Sequence, residues 1–233
     1  MKKTLTSLCL SFALFVIAFS SKAAVIPGGT YYVISGESFS LTPAVASLFE
    51  YHWVLDPGAG QVATTLNTAT GGVYTKIFGT GSELGVETHK LTFGVLEAVD
   101  GCLSDLIEHT IIVLPKITVS LTTADGKDNY CLGIPVNTTL TANVTAVTGL
   151  GTYGVTLSPF AWTKDGSDVS GQTSSTLAIT SAGTYKALVS YILPATGQPN
   201  APTASKLLNA VNGVAKQIKN DLPLPVVPSI SLN

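Results

Sequence analysis

Arginine occurs nowhere in this chain of 233 residues; all twelve basic residues are lysines. The absence removes the planar, bidentate donor that reads phosphates and bases, so no nucleic-acid partner is expected. Charge of either sign is scarce, at 11% of residues. A soluble monomer usually carries more, whereas a strand-rich chain buried among its own copies tolerates so little. Histidine occurs three times, at His52, His89 and His109, with no HxH, HExxH or Cys–His spacing. No metal and no other cofactor is therefore expected. Asp56-Pro57-Gly58-Ala59-Gly60 reads as a turn and not a phosphate loop, because neither Lys-Ser/Thr nor a helix follows it. With no clustered polar constellation in view, no enzymatic activity is expected. Beyond the N-terminal apolar run, no segment approaches the roughly 20 residues that span a bilayer, and that run is itself too short.

What is present begins with Met1-Lys2-Lys3, an apolar run over 8–19, and small residues at Ser21 and Ala23. This is the pattern of a secretory signal peptide over 1–23, predicting a secreted chain, extracellular or at a cell surface, that starts near Ala24. Cys9 has no lipobox around it. Beyond residue 23, nine lysines face fourteen acids, a net charge of −5. The remaining 210 residues suffice for two domains.

Short Val/Ile/Thr/Tyr runs, punctuated by Gly, Pro, Asn and Asp every 8–12 residues, predict an all-β chain. Strands are expected over 38–45, 50–55, 73–78, 89–98 and 107–114, and again over 117–122, 138–144, 160–164, 175–180 and 184–192. They divide into two tandem antiparallel β-sandwiches, 24–115 and 116–222, hinged at Leu114-Pro115, with an extended tail over 223–233. The segment 201–222 reads two ways. Leu207, Val211, Val214, Ile218 and Leu222 share a helical face, but Asn212-Gly213 is a hairpin turn signal, and the end of the first half favours a closing strand.

The two halves repeat each other out of register. Leu41 falls on Leu140 at an offset of 99, and the same offset lays Tyr31-Tyr32 on Tyr130-Cys131. The strand 116–121 has no counterpart before the first block, because subtraction lands in the leader. The first sandwich is therefore expected to lack its N-terminal strand.

Each half places an aromatic-x-Trp on its third strand, Tyr51-His52-Trp53 and Phe160-Ala161-Trp162. Trp162-Thr163-Lys164-Asp165-Gly166, Ser174-Ser175-Thr176-Leu177 and Ala182-Gly183-Thr184-Tyr185 together resemble the bacterial Ig-like repeats that occur in tandem in surface proteins and adhesins. The first half, with Tyr51-His52-Trp53 and Asp100-Gly101-Cys102, resembles PKD-like domains, without their Trp-Asp-Phe-Gly-Asp-Gly signature. The resemblance implies buried Trp53 and Trp162, and a corner tyrosine at Tyr185, which His89 replaces in the first half. It implies little about function, since such domains serve as spacers, adhesins and filament subunits.

His52 and His109 alternate with inward residues and are expected to face outward. Asp125, Asp128, Asp165 and Asp168 sit in turns; Asx turns explain them, with a calcium site as the alternative. Asn137-Thr138-Thr139 and Asn143-Val144-Thr145 match glycosylation sequons that a bacterial strand does not use. Cys102 and Cys131 lie one in each half, at opposite ends of a two-domain rod. Head-to-tail stacking brings Cys131 of one copy to Cys102 of the next, so an intermolecular disulfide is one expectation and two free thiols the other. Finally, Pro228-Ser229-Ile230-Ser231-Leu232-Asn233 follows the Pro-x-Ile-polar-apolar order of Pro115–Val119, and Leu222-Pro223-Leu224-Pro225 matches Leu114-Pro115. These read as a donor strand and its linker, making the partner another copy of the chain in a head-to-tail homopolymer. The alternative is a monomeric adhesin or glycan-binding module for an unidentified surface ligand.

Overall fold

The computed structural model describes residues 25–44, 49–56, 62–67, 71–98, 101–195, 198–199, 207–211 and 213–226. The leader, and Pro228 to Asn233, lie outside the described residues. The first repeat contributes β1 (Val25–Ile34), β2 (Ser38–Leu41), β3 (Glu50–Asp56), β4 (Val62–Asn67), β5 (Tyr74–Ile77), β6 (Glu87–Leu96) and β7 (Leu106–Leu114). The second contributes β8 (Val119–Thr123), β9 (Asn129–Cys131), β10 (Thr138–Val144), β11 (Thr156–Leu157), β12 (Ala161–Lys164), β13 (Ser167–Asp168), β14 (Thr176–Ile179), β15 (Gly183–Ile192), β16 (Gln198–Pro199), β17 (Leu207–Val211) and β18 (Lys216–Leu222). The chain is all-β: its one helical element among the described residues is a single 3-10 turn, Leu150–Tyr153.

In the second repeat, a three-stranded sheet ordered β14-β10-β8 accompanies a sheet ordered β13-β12-β15-β18-β9. Burial alternates with the strand period of two, as a half-solvated antiparallel sheet requires. Val119, Leu121 and Thr123 of β8 are buried while Ser120 and Thr122 are exposed; Tyr185, Ala187, Val189 and Tyr191 form the inward row of β15. These rows meet in one core around Trp162, Leu140, Leu177 and Ile218. This is an Ig-like sandwich. The first repeat has the same parts: β7, β6, β3 and β4 are neighbours in that order, and β2 pairs with β5.

The chain divides into two compact units: Met1–Gly29, Leu41–Tyr74 and His89–Thr110 form one, and Thr30–Ser40, Thr75–Thr88 and Ile111–Asn233 the other. The core of the first unit gathers Tyr51, Trp53, Leu55, Tyr74 and Leu91. Trp53 packs 4.2 Å from Phe93 and 5.3 Å from Tyr74 between ring centroids, and its Nε1–H is donated to the Gly72 carbonyl at 2.9 Å. In the second unit Trp162 Nε1–H is donated to the Ser174 carbonyl at 2.8 Å, and the Tyr185 hydroxyl to the Ser181 carbonyl at 2.8 Å, closing a tyrosine corner.

Four expectations need correction. Leu114-Pro115 is no hinge: Leu114, Pro115 and Ile117 are buried, and the Tyr191 hydroxyl is donated to the Pro115 carbonyl at 2.8 Å. His89 does not hold the corner position. Trp53 pairs with Phe93 as Trp162 pairs with Ala187, which sets Leu91 at the place of Tyr185. The sequence match Thr88-His89-Lys90 is two residues out, a shift that preserves the strand period and so hides in the pattern. His109 does not face outward: Gly28 and Gly29 of β1 cover it, and the Gly29 N–H is donated to its Nδ1 at 3.0 Å. Sequence reading had left residues 25–34 without a strand. Last, the offset at Tyr31-Tyr32 is 97 and not 99. Ser35 N–H meets the Leu114 carbonyl as Leu132 N–H meets Leu222, and Gly36 and Gly133 follow at φ 81 and 80. The second repeat regains register through two extra residues before β10.

The segment 201–222 is strand where described. β17 and β18 both pair with β15, so they are two pieces of one closing strand. At Gly213 the backbone lies so close to β15 that a Cβ would meet the Ala187 carbonyl oxygen at 2.0 Å. Gly213 therefore lies between the two pieces, where a close backbone approach requires glycine.

Candidate assembly edges

Two edges differ between the repeats, and each has an internal control. The first is the edge of the second strand. β10 is flanked by β14 on one side and β8 on the other, while β2 has β5 as its single strand neighbour among the described residues. The β8–β10 register sets Ala142 opposite Leu121 and Asn143 opposite Ser120. Hydrogen bonds toward β8 leave from the odd positions: Ala124 N–H reaches the Thr139 carbonyl at 2.9 Å, and Thr145 N–H the Thr118 carbonyl at 3.0 Å. The Ala142 N–H points the other way, to the Ser175 carbonyl at 2.7 Å. At the offset of 99, Pro43 takes the place of Ala142. Its missing N–H belongs to the side away from an added strand, so this proline does not oppose strand addition. Thr42 and Ala44 take the positions that donate and accept toward a newcomer.

The second edge is that of the strand parallel to the closing strand. From Gly29 beside His109 to Ser35 at Leu114, β1 and β7 advance together and are parallel, as β9 is parallel to β18. β1 also has an outer neighbour: β16 pairs with it in parallel, Tyr31 to Gln198 and Tyr32 to Pro199. β9 ends its sheet among the described residues. The apolar side chains there are open, with Leu132 61%, Leu222 43% and Leu224 58% exposed, whereas Ile34 and Leu114 of the first repeat are 1% and 0% exposed.

The predicted linker Leu222-Pro223-Leu224-Pro225 leaves the end of β18 as exposed chain. Cys131 is half-buried and stands in register with Leu222; Cys102 is exposed on the connection between β6 and β7. Both thiols are free in the single chain. Among the described residues the titratable groups stand in separate local pairs. His52 pairs with Glu50 at 3.0 Å on its own strand. Asp125 accepts from Tyr130, Thr138 and the Lys127 N–H, Asp128 pairs with Lys216 at 2.7 Å, and Asp165 accepts the Thr184 N–H at 2.7 Å. Among the described residues no three His, Cys, Asp or Glu side chains come together as a metal site. None of their helices is long and apolar enough to cross a membrane. Sequence reading missed β1 and β9 as a matched pair; the Ser-Gly and Leu-Gly turns that end them, at Ser35-Gly36 and Leu132-Gly133, were the available signal.

No protein-family model and no curated protein matches the chain. Solved structures of Ig and fibronectin type do. The fibronectin(III)-like modules of Clostridium thermocellum CbhA are 10% identical, with a TM-score of 0.39 over 92% of this chain and 98% of that one. The chicken CNTN1 FN1–FN3 domains are 10% identical, with a TM-score of 0.35 over 85% of this chain and 66% of that one. The N-terminal four Ig domains of Dscam1 isoform 6.9 are 15% identical, with a TM-score of 0.27 over 73% of this chain and 43% of that one. The fold class rests on the strand order and the core, not on these likenesses.

Proposed function

We propose that this chain is a secreted, non-enzymatic structural subunit of an extracellular or cell-surface filament, assembled head-to-tail by donation of residues 228–233 to β2 of the next copy. The observation that carries this is the comparison of β2 with β10: the same strand is flanked by β8 in one repeat and has no second strand beside it, among the described residues, in the other. An open edge of this kind is a template for strand addition. The donor has the required pattern. Ile230-Ser231-Leu232 reproduces Ile117-Thr118-Val119, whose outer two residues are buried and whose threonine is exposed. In this alignment Ile230 and Leu232 turn inward and Ser231 outward.

A peptide of residues 226–233 tests this against the full chain lacking 229–233. Binding is expected, with Ile230→Asp or Leu232→Asp in the peptide weakening it at least tenfold, because either buries an unpaired charge. Ser231→Asp is expected to stay within a few fold. Equal loss from all three positions, or no binding of the parent peptide, contradicts strand donation in this register.

A further inference from the structure

We propose that His109 is a proton-operated latch on the start of β1. With its ring neutral it holds the residues up to Gly29 against β7; on taking up a proton it lets them go and leaves the start of β7 as an uncovered sheet edge.

The contact is backbone on ring. The Gly29 N–H is donated to His109 Nδ1 at 3.0 Å. A Cβ at Gly28 would lie 2.4 Å from the same nitrogen and 2.8 Å from both the ring Cε1 and the Glu108 carbonyl oxygen, so only glycine lets the chain pass this close. The ring therefore carries its single proton on Nε2, and a second proton goes on Nδ1. That sets N–H against N–H at a distance where one of the two must withdraw. Burial acts in the same direction, since it already holds the His109 pKa below the ordinary histidine value. The titratable neighbours on the sheet are Glu108 on its own strand, which pairs with Lys90 of β6 at 2.8 Å, and Glu87 and His89 of β6. Along its whole length β1 brings Tyr31 and Tyr32 and no charged side chain.

β1 divides at its glycines into a weakly held start and an anchored remainder. Ile26 is 47% exposed, and Pro27 and Gly28 are exposed. Pro27 has no N–H to give to a ladder. Tyr32, Val33 and Ile34, by contrast, are buried; β16 pairs with Tyr31 and Tyr32, and the Tyr32 hydroxyl is donated to the Tyr153 carbonyl at 3.2 Å. Losing the ring contact therefore frees the first residues and leaves the rest in place, a local opening that costs far less than unfolding. Because β1 is the neighbour of β7 in the sheet, its departure there bares backbone groups of β7 to which an extended segment can add.

Hydrogen exchange of the full chain, read by mass spectrometry from pH 7.5 to 4.5 and corrected for the intrinsic rate, tests the latch. Protection of amides 28–30 is expected to fall at least tenfold across this range while that of 31–34 holds. His109→Gln keeps an oxygen that accepts from Gly29 and takes up no proton, so its protection is expected to stay constant; His52→Gln and His89→Gln are expected to behave as wild type. Should His109→Gln fail to fold, an NMR titration of the wild-type chain decides, with the His109 ring and the Gly29 amide expected to share one midpoint below about pH 6.5. Four results overturn the latch: protection that ignores pH in the wild type, an equal fall in His109→Gln, a fall abolished by His89→Gln, or one spread evenly over 28–34. Separate midpoints for the ring and the amide overturn it as well. Strand donation is untouched by any of these outcomes.

Discussion

His109 and Glu83 are each held in one protonation state by their surroundings, and the two act in separate pH ranges. Burial lowers the pKa of His109 below the ordinary histidine value, and the Gly29 N–H is donated to its Nδ1, the unprotonated nitrogen of the neutral ring. A depressed folded pKa stabilises the fold fully above the unfolded value of about 6.5, and that contribution is lost as pH falls through the folded value. Glu83 accepts from the Ser35 hydroxyl, the Thr80 N–H and hydroxyl and the Gly81 N–H, and its pKa falls to about 2. Its contribution is complete above the unfolded value of about 4.3 and is lost toward pH 2. Denaturant midpoints measured from pH 8 to 2 should therefore show two differences. His109→Gln should flatten the decline just below pH 6.5, and Glu83→Gln only the decline below about 4.3. Parallel curves for wild type and both variants contradict the assignment.

At the scale of elements, Asp165 shows how one residue sets a hairpin. It adopts φ 49 with Gly166 at φ 82, making the two-residue turn that joins β12 to β13, and its Oδ1 accepts the Thr184 N–H at 2.7 Å. Asp165→Ala loses both the tolerated left-handed conformation and the hydrogen bond, and should cost about 1–3 kcal/mol in urea unfolding. Asp165→Asn should cost less than half of that, because asparagine tolerates the conformation; equal costs contradict the reading. The turn at Asp165 was legible, though β13 behind it was not, and most core strands were, because alternating residues between turn signals carry their own period. β10 was placed to the residue at 138–144, and of the two readings open for 201–222 the strand, favoured by likeness to the end of the first half, is the one found over 216–222. Two things were not legible. β1 has no alternation in Val25-Ile26-Pro27-Gly28-Gly29 and is held by pairing with β7, a contact far away in sequence. The burial of Leu114-Pro115 was hidden too, since a proline between two domains reads as a linker until the residues that pack on it are known.

At the scale of the whole molecule, the repeat is the informative object. Two of the differences between the copies of the sandwich set a covered edge against an equivalent edge that is open among the described residues: β10 has β8 where β2 has no second neighbour, and β1 has β16 where β9 ends its sheet. The register offset pointed to the edge of β2, which has β5 as its single strand neighbour among the described residues; the second edge was not legible, because it depends on a two-strand pairing within a loop. The proposed strand donation would cover the open edge of β2 with residues 228–233 of another copy. Electron microscopy of the full chain beside the chain lacking 229–233 tests this most directly. The account predicts filaments with a repeat of one chain from the first and folded monomers from the second; filaments of equal length from both would contradict it.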